Sequence, residues 1–289
     1  MSAPKPDNSK ILARRLGGTT LAAVLMSAGL LTGCGDDSEP AQQAQACDPA
    51  ADERGSPYAC IAGAVTGEDG EPVVAVNIAA CTSETCIIGK TSDSGEYNIQ
   101  RLPVEPHKVE IFGAMKGYMM LAFFQDVLPG ELARAGRTLV LPRLTNEAVP
   151  WLPATGGSVA LAKGKLLFSA EAGTLRYLVG TPEEEMVVEA VEVPVGKLVP
   201  YDSEPWKGKE SKSLAFVVNP FPLTSSKSVE LTIKGAGAAA NALYTLYAAH
   251  SKTGELEQVG ILVGGAGGDL VLQPGATLTH LTTLVVVPN

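Results

Sequence analysis

Along most of this 289-residue chain, apolar positions come in short runs rather than in helical stripes. Val74, Val76 and Ile78 alternate with smaller residues, as do Val109 and Ile111, which is the period of two expected of half-buried strands. The second half carries apolar runs at Leu166–Phe168, Leu175–Val179, Met186–Val193, Leu214–Val218, Val229–Ile233, Leu243–Tyr247 and Leu278–Val287. Turn signals separate the runs: Glu68-Asp69-Gly70, Asp93-Ser94-Gly95, Lys163-Gly164, Glu171-Ala172-Gly173, Lys252-Thr253-Gly254 and Gln273-Pro274-Gly275. A 3.6-residue period is nearly absent, and the one helical candidate, Gly237 to Leu243, is short and flanked by Gly. Short strands with frequent turns predict an all-β fold of two β-sandwich domains rather than a parallel sheet with helices. A stretch rich in Pro and Gly, Pro142 to Gly157, marks the break between them.

The start of the chain follows another pattern. Lys5, Lys10, Arg14 and Arg15 precede an uncharged apolar run from Leu16 to Leu31, which leads into Leu31-Thr32-Gly33-Cys34. A basic head, a short apolar stretch and small residues before a cleavage point describe a secretory signal, and the run falls short of the roughly 20 residues a membrane span needs. Leu31-Thr32-Gly33-Cys34 resembles the lipobox of bacterial lipoproteins, which implies a signal peptide at 1–33 and lipidation of Cys34. An uncleaved N-terminal anchor is the plain alternative, and Arg14-Arg15 is also compatible with twin-arginine export. The small and polar residues from Gly35 to Ala46 have too little apolar surface to offset ordering, so 34–46 reads as the lipidated Cys and a flexible tether. In the resembled lipoproteins Asp after the lipidated Cys retains the protein in the inner membrane. Gly35 stands there, which points to the outer membrane of a bacterial cell envelope.

Charge narrows the partners. Four basic residues against one acidic lie in the first 33, so cleavage takes the net charge from −9 to −12 and leaves 256 residues. That length suits two domains, here 47–142 and 143–289. An acidic body argues against nucleic acid and anionic headgroups, which require clustered Lys and Arg. Setting Cys34 aside, Cys47, Cys60, Cys81 and Cys86 read as two disulfides in an oxidising compartment. Cys81 and Cys86 flank a four-residue loop between strand-like runs, favouring Cys81–Cys86 with Cys47–Cys60; pairing of Cys60 with Cys81 is the rival.

From Cys60 to about Leu141 a series of landmarks follows. These are Gly63-Ala64-Val65, Glu68-Asp69-Gly70-Glu71-Pro72, Thr91-Ser92-Asp93-Ser94-Gly95-Glu96-Tyr97, Leu102-Pro103 and Lys116-Gly117-Tyr118. Their order resembles the carboxypeptidase regulatory-like domain, with Glu105-Pro106 as a departure where that family has Gly. The resemblance implies a seven-stranded sandwich of transthyretin-like topology that serves as an accessory module without activity of its own. In the C-terminal half, Asn219-Pro220-Phe221-Pro222, the strands at Ser228–Ile233 and Tyr244–Tyr247, and Thr277 to Thr282 resemble a sandwich domain of secreted bacterial lipoproteins.

Candidate chemistry is sparse. His107-Lys108-Val109-Glu110 spells a zinc-carboxypeptidase His-x-x-Glu, with His250 downstream, but in a strand i and i+3 point to opposite faces, so no metal site is expected. Leu152-Pro153-Ala154-Thr155-Gly156 matches a sortase pattern far from the C-terminus and reads as a turn between domains, with Trp151 plugging the junction. Gly-x-Ser-x-Gly and a phosphate-binding glycine loop are absent; Glu183-Glu184-Glu185 reads as a solvated loop. Asp69, Glu68, Asp93 and Glu96 lack calcium-loop spacing. Trp206 and Tyr201, in the polar stretch Tyr201 to Glu210, are the candidate ligand-binding residues: an exposed ring there could stack on a sugar. The alternative is that Trp206 folds back as a lid on the core, and aromatics at 5% of the chain leave few partners for a platform. The expected function is a non-catalytic, membrane-anchored binding or structural module without cofactors. Its partners would be membrane lipid through Cys34 and a glycan or an envelope protein. A carbohydrate-binding surface module and an accessory subunit of an envelope enzyme or secretion complex are the alternatives.

Overall fold

The computed structural model describes residues 55, 58–128, 132–134, 138–145, 147–177, 186–201 and 203–289, with 132–134 described by backbone alone. The expected signal peptide, tether, Cys34, Cys47 and the Glu183–Glu185 run lie outside these residues. Residues Pro40–Asn289 form one compact unit.

Eight strands come from the first half: β1 (Ala59–Gly67), β2 (Asn77–Cys81), β3 (Cys86–Lys90), β4 (Glu96–Leu102), β5 (His107–Phe112), β6 (Leu121–Gln125), β7 (Leu132–Arg134) and β8 (Leu139–Leu141). They make two sheets, β4-β1-β7 with β8 also on β1, and β3-β2-β5-β6. Ile61, Val65, Tyr97 and Ile99 of one sheet and Ile78, Val109, Ile111 and Phe123 of the other share one core. The alternation at Val109 and Ile111 is as expected, each fully buried between half-buried neighbours. The strand expected at Val74–Ile78 begins later, at Asn77, because the chain turns at Val74-Ala75, with Ala75 at φ +56° and Val74 37% exposed. At the Asp93-Ser94-Gly95 turn, Gly95 has φ +77°, and a Cβ there would lie 2.4 Å from the Val65 carbonyl oxygen; only glycine fits.

The second half supplies β9 (Val149–Trp151), β10 (Gly157–Leu161), β11 (Leu166–Ala170), β12 (Leu175–Tyr177), β13 (Met186–Val193), β14 (Leu214–Asn219), β15 (Leu223–Ser225), β16 (Glu230–Ile233), β17 (Leu243–Ala249), β18 (Leu256–Gly264), β19 (Leu270–Leu272), β20 (His280–Leu281) and β21 (Thr283–Pro288). Ten of them form one sheet in the order β10-β11-β16-β19-β18-β17-β21-β14-β13-β9, and β12-β15-β20 form a small second sheet. The ten-stranded sheet curls until β10 lies against β13 and β9, so it is nearly a barrel. Its interior holds a second core built on Phe168, Phe216, Leu246, Leu284 and Val286. Residues 237–242 are loop and turn rather than helix, with Leu243 already in β17, and the longest helical pieces among the described residues are single 3-10 turns. The fold is all-β.

The two cores meet across shared strands. In β14, Phe216 and Val218 face the second core while Ala215 and Val217 face the first; in β21, Leu284 and Val286 face the second and Val285 and Val287 the first. The register carries the division across the ladder, pairing Phe216 with Leu284 and Ala215 with Val285. Strands buried on both faces need continuous apolar runs, as Leu214–Val218 and Leu284–Val287 supply. Because these strands wall both cores, the described body is expected to unfold by urea in a single transition. Phe216→Ala should cost about 3–5 kcal/mol. Ile88→Ala, at a side chain 65% exposed, should stay within about 0.5 kcal/mol.

Candidate functional site at the junction of the two halves

Cys81 and Cys86 are bonded to each other, as the loop between them predicts. They stand directly opposite in the β2–β3 ladder with Cα atoms 4.0 Å apart. Cys60 is also disulfide-bonded. Its pairing with Cys81 is excluded, since Cys81 is already bonded to Cys86; Cys47, the partner expected for Cys60, lies outside the described residues.

Tyr201 and Trp206 are not a surface platform. Trp206 is 2% exposed and Tyr201 6%, and both belong to the first core. Their rings meet edge to face at 6.3 Å, and the Tyr201 hydroxyl donates to the Ala122 carbonyl of β6 at 3.5 Å. Burial raises the Tyr201 pKa, so the phenol stays protonated. The apolar rings do more by closing the seam between the halves than they could as an exposed pair, so the lid reading holds and the stacking reading does not. Trp151 goes the other way. Expected at the junction, it packs on Phe168 at 5.5 Å inside the second core.

The other motifs resolve as folded elements. His107 is 1% exposed, whereas Glu110 pairs with Lys108 at 2.8 Å on the opposite face of β5, so the two cannot share a metal. The Leu152 to Gly156 segment is a closed turn: the Thr155 hydroxyl and amide both donate to the Leu152 carbonyl, and Gly156 packs on the backbone of 170–172. Asp69 is held by Arg143 at 2.8 Å, which lowers its carboxyl pKa, and Glu68 accepts the Arg143 amide. Glu96 accepts from Ser94.

What the sequence did not disclose is a polar cluster where the β17–β18 hairpin meets β5 and β6. Lys108 of β5 reaches over the Phe221 ring at 5.9 Å and donates to the Ser251 carbonyl at 3.0 Å. The Ser251 hydroxyl bonds His280 Nδ1 at 3.0 Å, and the His280 ring stands edge-on to His250 at 4.2 Å. No spacing rule joins residues 108, 251 and 280; only strand pairing does. A Ser hydroxyl on an imidazole has the form of a nucleophile with its base. Ser251 is only 4% exposed, however, and its carbonyl is occupied, so the pair serves to hold the turn. Burial and the neighbouring His250 lower the His280 pKa.

Two more polar groups are held close to the seam, the second of them across it. Glu189 accepts the Thr145 amide at 2.9 Å, and burial raises its pKa. Asn219 accepts the Met120 amide at 3.4 Å and donates to the Met119 sulfur. Leu121, Val140, Val193, Leu198 and Val217 line a narrow cleft with room for about one water molecule, far below a small-molecule pocket. Among the described residues no three His, Cys, Asp or Glu side chains are grouped to hold a metal ion.

No family model and no curated protein matches the chain. Two solved structures are similar over 81% of it, each at 12% identity. One is the Bacillus anthracis TIE protein, at a TM-score of 0.27, of which this chain spans about half, 48%. The other, at a TM-score of 0.20 and spanned completely, is a Bacteroides uniformis protein to which carbohydrate binding is ascribed. Likenesses this slight carry no argument about this chain.

Trp206→Ala should therefore act as a core deletion, costing about 3–5 kcal/mol in chemical denaturation; a normal midpoint with altered glycan retention would show the ring to be a surface contact instead. His107 gives a pH dependence. Neither ring nitrogen has a well-formed hydrogen bond among the described residues, and burial lowers its pKa, with Glu105 partly opposing. The unfolded state then binds the extra proton first. Stability from neutral His107 is complete above the unfolded value of 6.5 and lost as pH falls below it toward the lower folded value. His107→Phe should flatten the acid limb of a melting-temperature profile, leaving the slope due to His280.

Proposed function

We propose that this chain is an exported bacterial envelope protein, anchored by lipid at Cys34, whose β body acts as a non-catalytic binding or structural module. The observation that carries it is Leu31-Thr32-Gly33-Cys34 behind a basic head and an uncharged apolar run. Oxidised cysteines at 60, 81 and 86 support an oxidising compartment, and Gly35 supports the outer membrane over the inner. Among the described residues no helix is long and apolar enough to cross a membrane. A diacylglycerol thioether plus an acylated amine supplies more than the single chain that gives only marginal binding. The first sandwich would serve as a regulatory-like accessory module and the second as the wall on which it is mounted. The carbohydrate reading is not carried alongside, because Trp206 and Tyr201, the rings that suggested it, are buried.

Expressed in a host that processes lipoproteins, the wild type should fractionate with membranes and show an intact mass beginning at lipidated Cys34. Cys34→Ala should leave the membrane fraction. Soluble wild type, or retention of residues 1–33, would overturn the anchored reading.

A further inference from the structure

The disulfide between Cys81 and Cys86 adds little to the part of the fold it spans. The two residues are five apart in sequence, and a link across so short a loop removes little freedom from the unfolded chain. The hairpin is already closed without it. β2 and β3 pair from Asn77 with Lys90 to Cys81 with Cys86, and the Thr82 amide donates to the Thr85 carbonyl at 2.8 Å. The Thr82 hydroxyl accepts the Glu84 and Thr85 amides at 3.2 Å each. Solvent reaches the bond from one side. Cys86 is exposed on β3, the last strand of its sheet, with the exposed Ile88 two residues on and on the same face. Cys81 is 6% exposed and has Lys108 directly across from it on β5. The Glu110 carboxylate, held by Lys108 at 2.8 Å, lies 3.9 Å from the Cys81 sulfur. A disulfide sulfur carries no proton, so that contact becomes a hydrogen bond only when Cys81 is a thiol.

We propose that Cys81–Cys86 is a thiol–disulfide exchange site that takes two electrons from a dithiol, with attack at Cys86 and release of Cys81 toward Glu110. A thiolate attacks in line with the bond it breaks. From the free edge of β3 that line reaches the Cys86 sulfur, whereas the Cys81 sulfur is shielded by Lys108 and Glu110 on β5. In the first step the donor's thiolate sulfur bonds to Cys86 Sγ and the Cys81–Cys86 bond breaks. Cys81 departs with the electron pair and takes a proton from water. The donor's second thiolate then attacks the donor sulfur of the mixed disulfide. The donor leaves as a disulfide, and Cys86 Sγ departs as a thiolate and is protonated. Ile88 offers the donor's carbon atoms an apolar contact beside the sulfur attacked. Once reduced, Cys81 donates to Glu110, an interaction that the oxidised form lacks and that favours electron uptake. An exposed disulfide whose reduced form gains a bond is the kind that exchanges, unlike one that staples a core. The hydrogen bonds of the Thr82–Thr85 loop keep the hairpin closed throughout, so the site can be reoxidised.

Reduction of the folded full chain by dithiothreitol at neutral pH, followed by alkylation of free thiols and peptide mapping, tests it. In the wild type Cys81 and Cys86 should both become alkylated without urea, with the far-ultraviolet circular dichroism unchanged. Reduction only at urea concentrations that unfold the chain would overturn the proposal. In glutathione buffers of fixed reduced-to-oxidised ratio, Glu110→Gln, whose neutral oxygen is the weaker acceptor, should lower the ratio of dithiol to disulfide at this pair about threefold. An unchanged ratio would remove Glu110 from the site and with it the preference for the reduced form. The sulfur attacked is read with oxidised glutathione on single variants. Cys86 in Cys81→Ser should form the mixed disulfide at least about tenfold faster than Cys81 in Cys86→Ser. Equal rates, or the faster reaction at Cys81, would overturn the assignment of Cys86 as the point of attack.

Discussion

The structure depends on four adjacent strands, β13, β14, β21 and β17, that carry apolar side chains on both faces. Ordinarily an antiparallel sheet shows one face to water. Here Ala190, Phe216, Leu284 and Ala248 fill the near-barrel of the second half, while Val193, Ala215, Val285 and Ala249 press into the core of the first. A polar residue on either face would sit in a core, and removing any of the four strands would open both. The first sandwich is thus mounted on a wall that belongs to the second.

Such a wall fixes where polar groups can go. Polar side chains at the seam find partners: Lys108 with Ser251 and Glu110, Glu189 with Thr145, Asn219 with Met120. Unmatched, any of them would cost on the order of 1–3 kcal/mol for a buried group without a partner. Tyr201 and Trp206 close the rest with apolar area, and the Tyr201 hydroxyl spends its proton on Ala122. The seam is therefore a continuation of the core with a few polar fasteners.

Burial also explains why the aromatic candidates exchange places. The stretch from Tyr201 to Glu210 is mostly polar, yet its two rings turn inward and join the first core. Trp151 lies between Pro150 and Leu152 in a stretch that reads as a linker, yet Val149–Trp151 pairs with β13 and faces Phe168.

Local rules settle whatever depends on near neighbours. Alternation at Val109 and Ile111, the turns closed by Gly95 and Gly254, the hairpin that sets Cys81 against Cys86, and the separation of His107 from Glu110 across β5 all follow from periods of two and from backbone sterics over a few residues. The doubly apolar runs Leu214–Val218 and Leu284–Val287 announce burial on both faces without naming what covers each. The folded structure alone decides that one face of each belongs to the other half, that Trp206 is interior, and that Lys108, Ser251, His250 and His280 form one cluster. Those outcomes depend on pairings between strands far apart in sequence, where the energy of a contact depends on which surfaces are brought together, and a linear pattern does not record that.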